Sequence, residues 1–193
     1  VGLAFAHKYR NEKKISRVYV GDGAMSNGQV FEAFNLASLW NLPVLFIIEN
    51  NRYGMGTAVN RSAAGKDLYE RATVFGIEGE KINGMDFFEV SQAAIRARDH
   101  IYENSKPYVI EMDTYRYRGH SMSDPASYRS KDEVNEMKSN DPLISKWEDA
   151  MLAHMHANNA DVLDWITNED PKIKGDAADK VKAALDAFAA DYA

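Results

Sequence analysis

The run Val44-Leu45-Phe46-Ile47-Ile48 constrains this chain more than any other segment. Its consecutive apolar residues open after Pro43 and close at Glu49-Asn50-Asn51. Side chains on a strand alternate between two faces, so an unbroken apolar run leaves neither face for water. Such a strand is covered on both sides, as in a parallel sheet packed between helices. The flanking segments agree. Ser16 to Val20 reads as a short β-branched strand, Ile77 to Ile82 as a weaker one and Tyr108 to Tyr115 as the last. Between them lie helical patterns. Ser26 and Gln29 have capping-box spacing ahead of a helix that runs to about Trp40. With Val30, Phe31, Phe34, Leu36, Ala37 and Leu39 it is apolar on most sides, which predicts a buried helix. A short helix is predicted from Asp67 to about Phe75. Asp86 and Glu89 repeat the capping spacing before a stripe of Phe87, Val90, Ala94, Ala97 and Ile101. Strands alternating with helices of this length mean βαβ units and a mostly parallel sheet flanked by helices.

Composition narrows the functional classes. Lys plus Arg is 23 against 29 Asp plus Glu, a formal charge of −6, which argues against general nucleic-acid binding. Without cysteine, disulfides, thiolate zinc sites and cysteine nucleophiles are excluded. The longest apolar stretch, Pro43 to Ile48, is far too short to cross a membrane as a helix. From Lys131 onward strand signals stop. Ile144, Trp147, Met151 and Met155 form one stripe, and Ala177, Val181, Ala184 and Phe188 another. The expected organisation is an α/β domain over residues 1–130 and a C-terminal helical extension over 131–193. The chain opens Val1-Gly2-Leu3-Ala4-Phe5-Ala6, without initiator Met or signal peptide, as though inside an apolar helix.

In open α/β sheets ligands gather beyond the carboxyl ends of the strands. Three loops are expected there: Gly21 to Gly28, Asn50 to Gly56 and Tyr117 to Ser130. The first, Gly21-Asp22-Gly23-Ala24-Met25-Ser26-Asn27-Gly28, has small residues that let backbone amides approach a phosphate ahead of a helix N-terminus. Asp22 would repel a bare phosphate unless a divalent cation lay between them. Alone, this loop reads equally well as a tight turn. The second, Glu49-Asn50-Asn51-Arg52-Tyr53-Gly54-Met55-Gly56, offers neutral carbonyl ligands but alone is merely a loop. Together they say more. Gly-Asp-Gly and Asn-Asn are separated by 26 residues holding one helix and one strand, so Asp22 and Asn51 end strands joined by a βαβ crossover.

That pairing resembles the motif by which thiamin diphosphate enzymes hold the cofactor diphosphate through Mg²⁺. The likeness extends to Gly28-Gln29-Val30-Phe31-Glu32-Ala33-Phe34-Asn35, Leu39-Trp40-Asn41-Leu42-Pro43, Glu49 to Thr57, Asn83-Gly84-Met85-Asp86 and Thr114 to Pro125. Over most of residues 1–145 the chain is similar to the α subunits of thiamin-diphosphate-dependent 2-oxo acid dehydrogenases, those of the pyruvate enzyme above all. The resemblance implies a thiamin-diphosphate-binding fold, oxidative decarboxylation of pyruvate, and acetyl transfer to the lipoyl domain of an acyltransferase component. It implies a heterotetramer of two α and two β subunits, in the bacterial cytoplasm or, alternatively, the mitochondrial matrix. It assigns Asp22, Asn51 and the Tyr53 carbonyl to Mg²⁺. Gly21, Asp22, Gly23, Ala24, Asn51, Tyr53, Gly54, Met55 and His120 then bind cofactor, with His120 catalytic and flanked by Arg116 and Arg118. Acetoin and branched-chain 2-oxo acid dehydrogenases are the alternatives within the class, and a noncatalytic Mg-diphosphate-binding fragment is the alternative outside it.

Two departures matter. The family usually reads Gly-Asp-Gly-Ala-Ala-Asn-Gln-Gly where Met25, Ser26 and Asn27 stand here. Members of the family also have a substantial segment ahead of the position matching Val1, and the glutamate that activates the cofactor's aminopyrimidine lies on the β subunit. The expectation is therefore an N-terminally truncated chain that is inactive alone.

Overall fold

The computed structural model describes residues 1–65 and 67–141, which fall within one compact unit, Val1–Leu143. The two stripes expected from Ile144 onward lie outside the described residues. Helix α1 (Gly2–Tyr9) precedes strand β1 (Ser16–Gly21), a 3₁₀ turn (Ala24–Ser26), α2 (Gly28–Leu39) and β2 (Val44–Asn50). A small hairpin of β3 (Tyr53–Gly54) and β4 (Thr57–Ala58) follows, then the short helices α3 (Val59–Ser62) and α4 (Glu70–Thr73). The remainder is β5 (Glu78–Asn83), α5 (Phe87–Asn104), β6 (Tyr108–Asp113) and α6 (Lys131–Ser139). The principal sheet has four strands in the order β1-β2-β6-β5, and every neighbouring pair is parallel.

The apolar run behaves as its pattern requires. Val44, Phe46 and Ile48 pack on one face of the sheet with Phe34 and Ala37 of α2, together with Ala4, Met25 and Ala72. Leu45 and Ile47 pack on the other with Ala93, Ala97 and Ile101 of α5 and Ile110 of β6. Phe34 meets Phe46 edge-on at 4.8 Å between ring centroids. Each of the larger side chains here (Val, Leu, Ile, Phe or Met) removed from water is worth about 1.5–3 kcal/mol.

Several expectations are corrected. The cap of α2 is Asn27, not Ser26: Asn27 is extended and its side chain accepts from the Gln29 amide, while Ser26 is spent in the 3₁₀ turn. Helix α2 is buried along one stripe only, with Leu39 67% exposed. Asp86 caps α5 as expected, accepting from the Phe88 and Glu89 amides, but the Glu89 carboxylate reaches past it to the Asn83 amide. The buried stripe of α5 is Ala93, Ala97 and Ile101 with Val90 beside it; Phe87 and Ala94 face outward. A shift of one residue turns a helical side chain by about 100°, which is enough to change its environment. The segment read as a plain loop after Asn50 contains the β3–β4 hairpin.

Candidate cofactor and cation site

Parallel pairing delivers three loops to one edge of the sheet. Gly21 is in register with Glu49, and Asn50 with Asp113, so the segments after β1, β2 and β6 leave side by side. The first two touch through their backbones. A Cβ placed on Gly23 would lie 3.2 Å from the Gly54 α-carbon, and one on Gly54 would lie as close to Gly23. That is tighter than most carbon–carbon contacts, so a side chain at either position would need the facing loop to give by a few tenths of an ångström.

Asp22 sits beside this contact, 4% exposed, with its Oδ2 lacking any hydrogen-bond partner. Burial pushes its carboxyl above the ordinary aspartate value, while the Asp22 and Gly23 amides and the Arg116 charge pull the other way. An orphaned, buried carboxylate oxygen is rare in a folded protein and is a fitting ligand for a hard cation. Asn51 is half-buried, and its Oδ1 accepts from the Tyr53 amide at 3.2 Å. The Tyr53 carbonyl accepts from Arg116 Nη1 at 3.1 Å. Each of these oxygens has a second lone pair, so neither bond removes it from a ligand set. Among the described residues no three His, Asp or Glu side chains converge as a metal cluster. A cation here would instead draw on one carboxylate, one carboxamide and one backbone carbonyl.

The chain reaches this shape through an unusual backbone. Arg52 has φ +70° and Met55 φ +56°, the left-handed region that costs a side-chain-bearing residue energy. Arg52 is held by a bidentate pair with Asp113, at 3.0 Å from Nε and 2.9 Å from Nη2. The departures from the family pattern have structural employment: Met25 is fully buried in the core and Asn27 caps α2.

The loop after β6 is strapped onto the hairpin. Arg116 Nη2 donates to the Met55 carbonyl at 2.5 Å and to the Tyr128 hydroxyl at 2.6 Å. The Tyr128 hydroxyl donates in turn to Asp124 Oδ2 at 2.9 Å, an oxygen that also accepts from the His120 amide at 2.7 Å. His120 itself is exposed, so it joins the hairpin through Asp124, Tyr128 and Arg116 rather than by direct contact with Asn51. Gly119 is obligatory, since a Cβ there would meet the Asp124 carbonyl oxygen at 2.5 Å. Arg116 is thus an organiser of the site, whereas Arg118 is exposed and offers only its carbonyl, to Arg129.

Sequence reasoning overlooked Arg129, which is buried, donates to the Arg116 and Arg118 carbonyls and lies 5.3 to 5.6 Å from the rings of Tyr53, Tyr115 and Tyr128. Its signal was an arginine closing a tyrosine-rich loop, a composition suited to cation–π packing. Asn50 and Glu111 were overlooked too. A glutamate between Ile110 and Met112 in an otherwise apolar strand announces a buried, paired charge.

Comparison with known proteins matches residues 1–188 to the family described as Dehydrogenase E1 component. The chain belongs to the dehydrogenase E1 component family. Among curated E1 proteins it is 52% identical over 161 residues to the pyruvate dehydrogenase E1 component subunit alpha of Rickettsia bellii, covering 83% of this chain and 49% of that one. It is 48% identical over 186 residues to the protein of the same name from Zymomonas mobilis, covering 96% of this chain and 52% of that one. The mitochondrial subunit of Saccharomyces cerevisiae is 54% identical over 144 residues, 74% of this chain and 34% of its own. The chain therefore spans about half the length, or less, of these E1 relatives. Among the described residues no helix is long and apolar enough to cross a membrane.

Proposed function

We propose that this chain is the α-subunit portion of a pyruvate dehydrogenase E1 component and holds the diphosphate end of thiamin diphosphate through Mg²⁺. The observation that carries the reading is the buried Asp22 carboxylate with an unpartnered oxygen, set beside the Gly23–Gly54 backbone contact. Asp22, Asn51 Oδ1 and the Tyr53 carbonyl hold the cation; the Gly23 and Ala24 amides, at the turn before α2, face the diphosphate. Gly21, Gly54 and Met55 complete the backbone wall. Bound thiamin diphosphate supplies the nucleophilic carbon and electron sink for decarboxylating a 2-oxo acid. Arg116 holds Tyr53 and Met55 in place, and His120, on the loop it anchors, stabilises charge during acyl transfer at the mouth of the site.

The partners that fit this role are a β subunit, in a two-α, two-β assembly, and the lipoyl domain of an acyltransferase component. The cofactor-activating carboxylate comes from the β subunit, so decarboxylation requires both chains. The rickettsial and Zymomonas relatives favour a bacterial cytoplasm over a mitochondrial matrix.

The test is calorimetric titration of Mg²⁺ and thiamin diphosphate into the chain alone and with a β subunit, followed by turnover on pyruvate, branched 2-oxo acids and acetoin. Binding that disappears in Asp22→Ala, with pyruvate the preferred substrate, supports the reading. No binding with or without the β subunit refutes it, and preference for a branched acid or acetoin refutes the pyruvate assignment.

A further inference from the structure

The turn that carries Asn51 and Tyr53 hangs on Asn50, and Asn50 hangs on a carboxylate in the interior of the sheet. Glu111 on β6 is 0% exposed. A charge so deeply buried persists only where its oxygens are satisfied. Oε1 accepts from Asn50 Nδ2 at 2.7 Å, and Oε2 accepts from the Leu68 and Tyr69 amides at 2.6 and 3.0 Å. Asn50, only 6% exposed, uses its Oδ1 to accept from the Arg52 amide at 3.1 Å. Arg52 is the residue whose left-handed conformation swings the chain between Asn51 and Tyr53.

The polarity of this relay is forced. A carboxylate only accepts and a backbone amide only donates. The Asn50 carboxamide therefore fits in one orientation, nitrogen toward Glu111 and oxygen toward Arg52. We propose that Glu111 is a positioning residue for the cation site: by fixing that orientation it holds the Asn51–Tyr53 turn in ligand-binding shape before any ligand arrives. The role rests on the cation-site reading given above. Glu111 touches neither cation nor cofactor, and acts through Asn50, as outer partners of metal ligands do.

The relay supplies its own test. In Glu111→Gln an amide nitrogen replaces one acceptor. Turned toward Asn50, it forces the Asn50 amide to rotate and sets that nitrogen against the Arg52 amide. Turned the other way, it opposes the Leu68 and Tyr69 amides. Both choices oppose donors. Adding Asn50→Asp restores the pattern, because the introduced aspartate accepts from the new glutamine and from Arg52 alike, and the pair keeps its total charge of −1. The experiment is calorimetric titration of Mg²⁺ with thiamin diphosphate into the full chain, complexed with its β subunit where one forms. Alongside it runs amide hydrogen exchange at Arg52 in the ligand-free protein.

Glu111→Gln should weaken binding about 10- to 100-fold, the range seen when outer partners of metal ligands are removed. It should also speed exchange at Arg52, with the double variant recovering most of both losses. Glu111→Gln behaving as wild type, or a double variant no better than it, overturns the proposal. Should Glu111→Gln alone fail to fold, a folded double variant supports the polarity argument and an unfolded one overturns it. A wild-type chain that binds no cofactor defeats the functional reading instead. The exchange rate at Arg52 then decides the role of Glu111: faster in Glu111→Gln and restored in the double variant supports it, and unchanged overturns it.

Discussion

Replacing Asp22 by Asn should make the ligand-free chain more stable while destroying its capacity to be stabilised by ligand. The Oδ2 of Asp22 is buried and unpartnered, so folding strips water from a charged oxygen and returns nothing to it. An unsatisfied buried polar group costs about 1–3 kcal/mol, and more when it is charged. The introduced carboxamide would keep an acceptor for the backbone amides of positions 22 and 23 but carry no charge, a gain on the order of 1 kcal/mol. For a chain of this size that raises the melting temperature by roughly 2–4 °C. The pH dependence has a definite sign. Burial raises the folded-state carboxyl above its ordinary value of 3.8, so the folded state holds this proton more tightly than the unfolded one. Wild-type stability from this group therefore falls as pH rises through the interval above that value, and the advantage of Asp22→Asn grows over the same interval and then levels. Mg²⁺ and thiamin diphosphate invert the order. At a hundred times the dissociation constant, wild type gains about 2.7 kcal/mol while the variant gains little. Thermal melts from pH 4 to 8 (roughly the span over which carboxyls finish titrating), with and without ligand, read both effects. A ligand-free variant that melts below wild type at neutral pH refutes the reasoning about the orphaned oxygen.

Phe34→Ala removes a fully buried ring packed on Phe46 and should cost about 3–5 kcal/mol, seen as a lower urea midpoint with little change in slope. The loop after β6 should loosen in acid. The His120 and Ala126 amides hold the Asp124 carboxyl below its ordinary range. Its contribution is therefore complete above that range and lost as pH falls through the depressed value. Exchange at the His120 amide should accelerate there, and in Asp124→Asn the pH step should vanish; a step that survives this substitution assigns the loosening to another group.

What was legible in the sequence depended on whether a residue's role is decided by its neighbours in the chain. Val44 to Ile48 declared a doubly covered strand because periodicity is local, and Asp86 declared a cap because the amides that donate to it lie two and three residues on. In α5 the stripe holds at Val90, Ala97 and Ile101, but Ala94 was expected where Ala93 is buried, since the two differ in no property except the direction in which the helix turns them. The β3–β4 hairpin escaped because it depends on positive φ at Arg52 and Met55, residues with no intrinsic preference for it. Asp22 and Asn51 were legible as a pair through their spacing. The relay from Glu111 through Asn50 to Arg52 was not, because it joins residues 61 positions apart whose pairing only the parallel register of β2 and β6 creates.

The contact between Gly23 and Gly54 has a consequence for how such a chain can diverge. Each glycine sits where the other's Cβ would crowd it, so a side chain at either position asks the facing loop to give by a few tenths of an ångström. The two segments are therefore fitted to each other, although 30 residues lie between those glycines in the chain. Grafting Gly21 to Gly28 alone onto another parallel sheet would transfer a carboxylate and a turn, and leave behind the surface against which they are shaped.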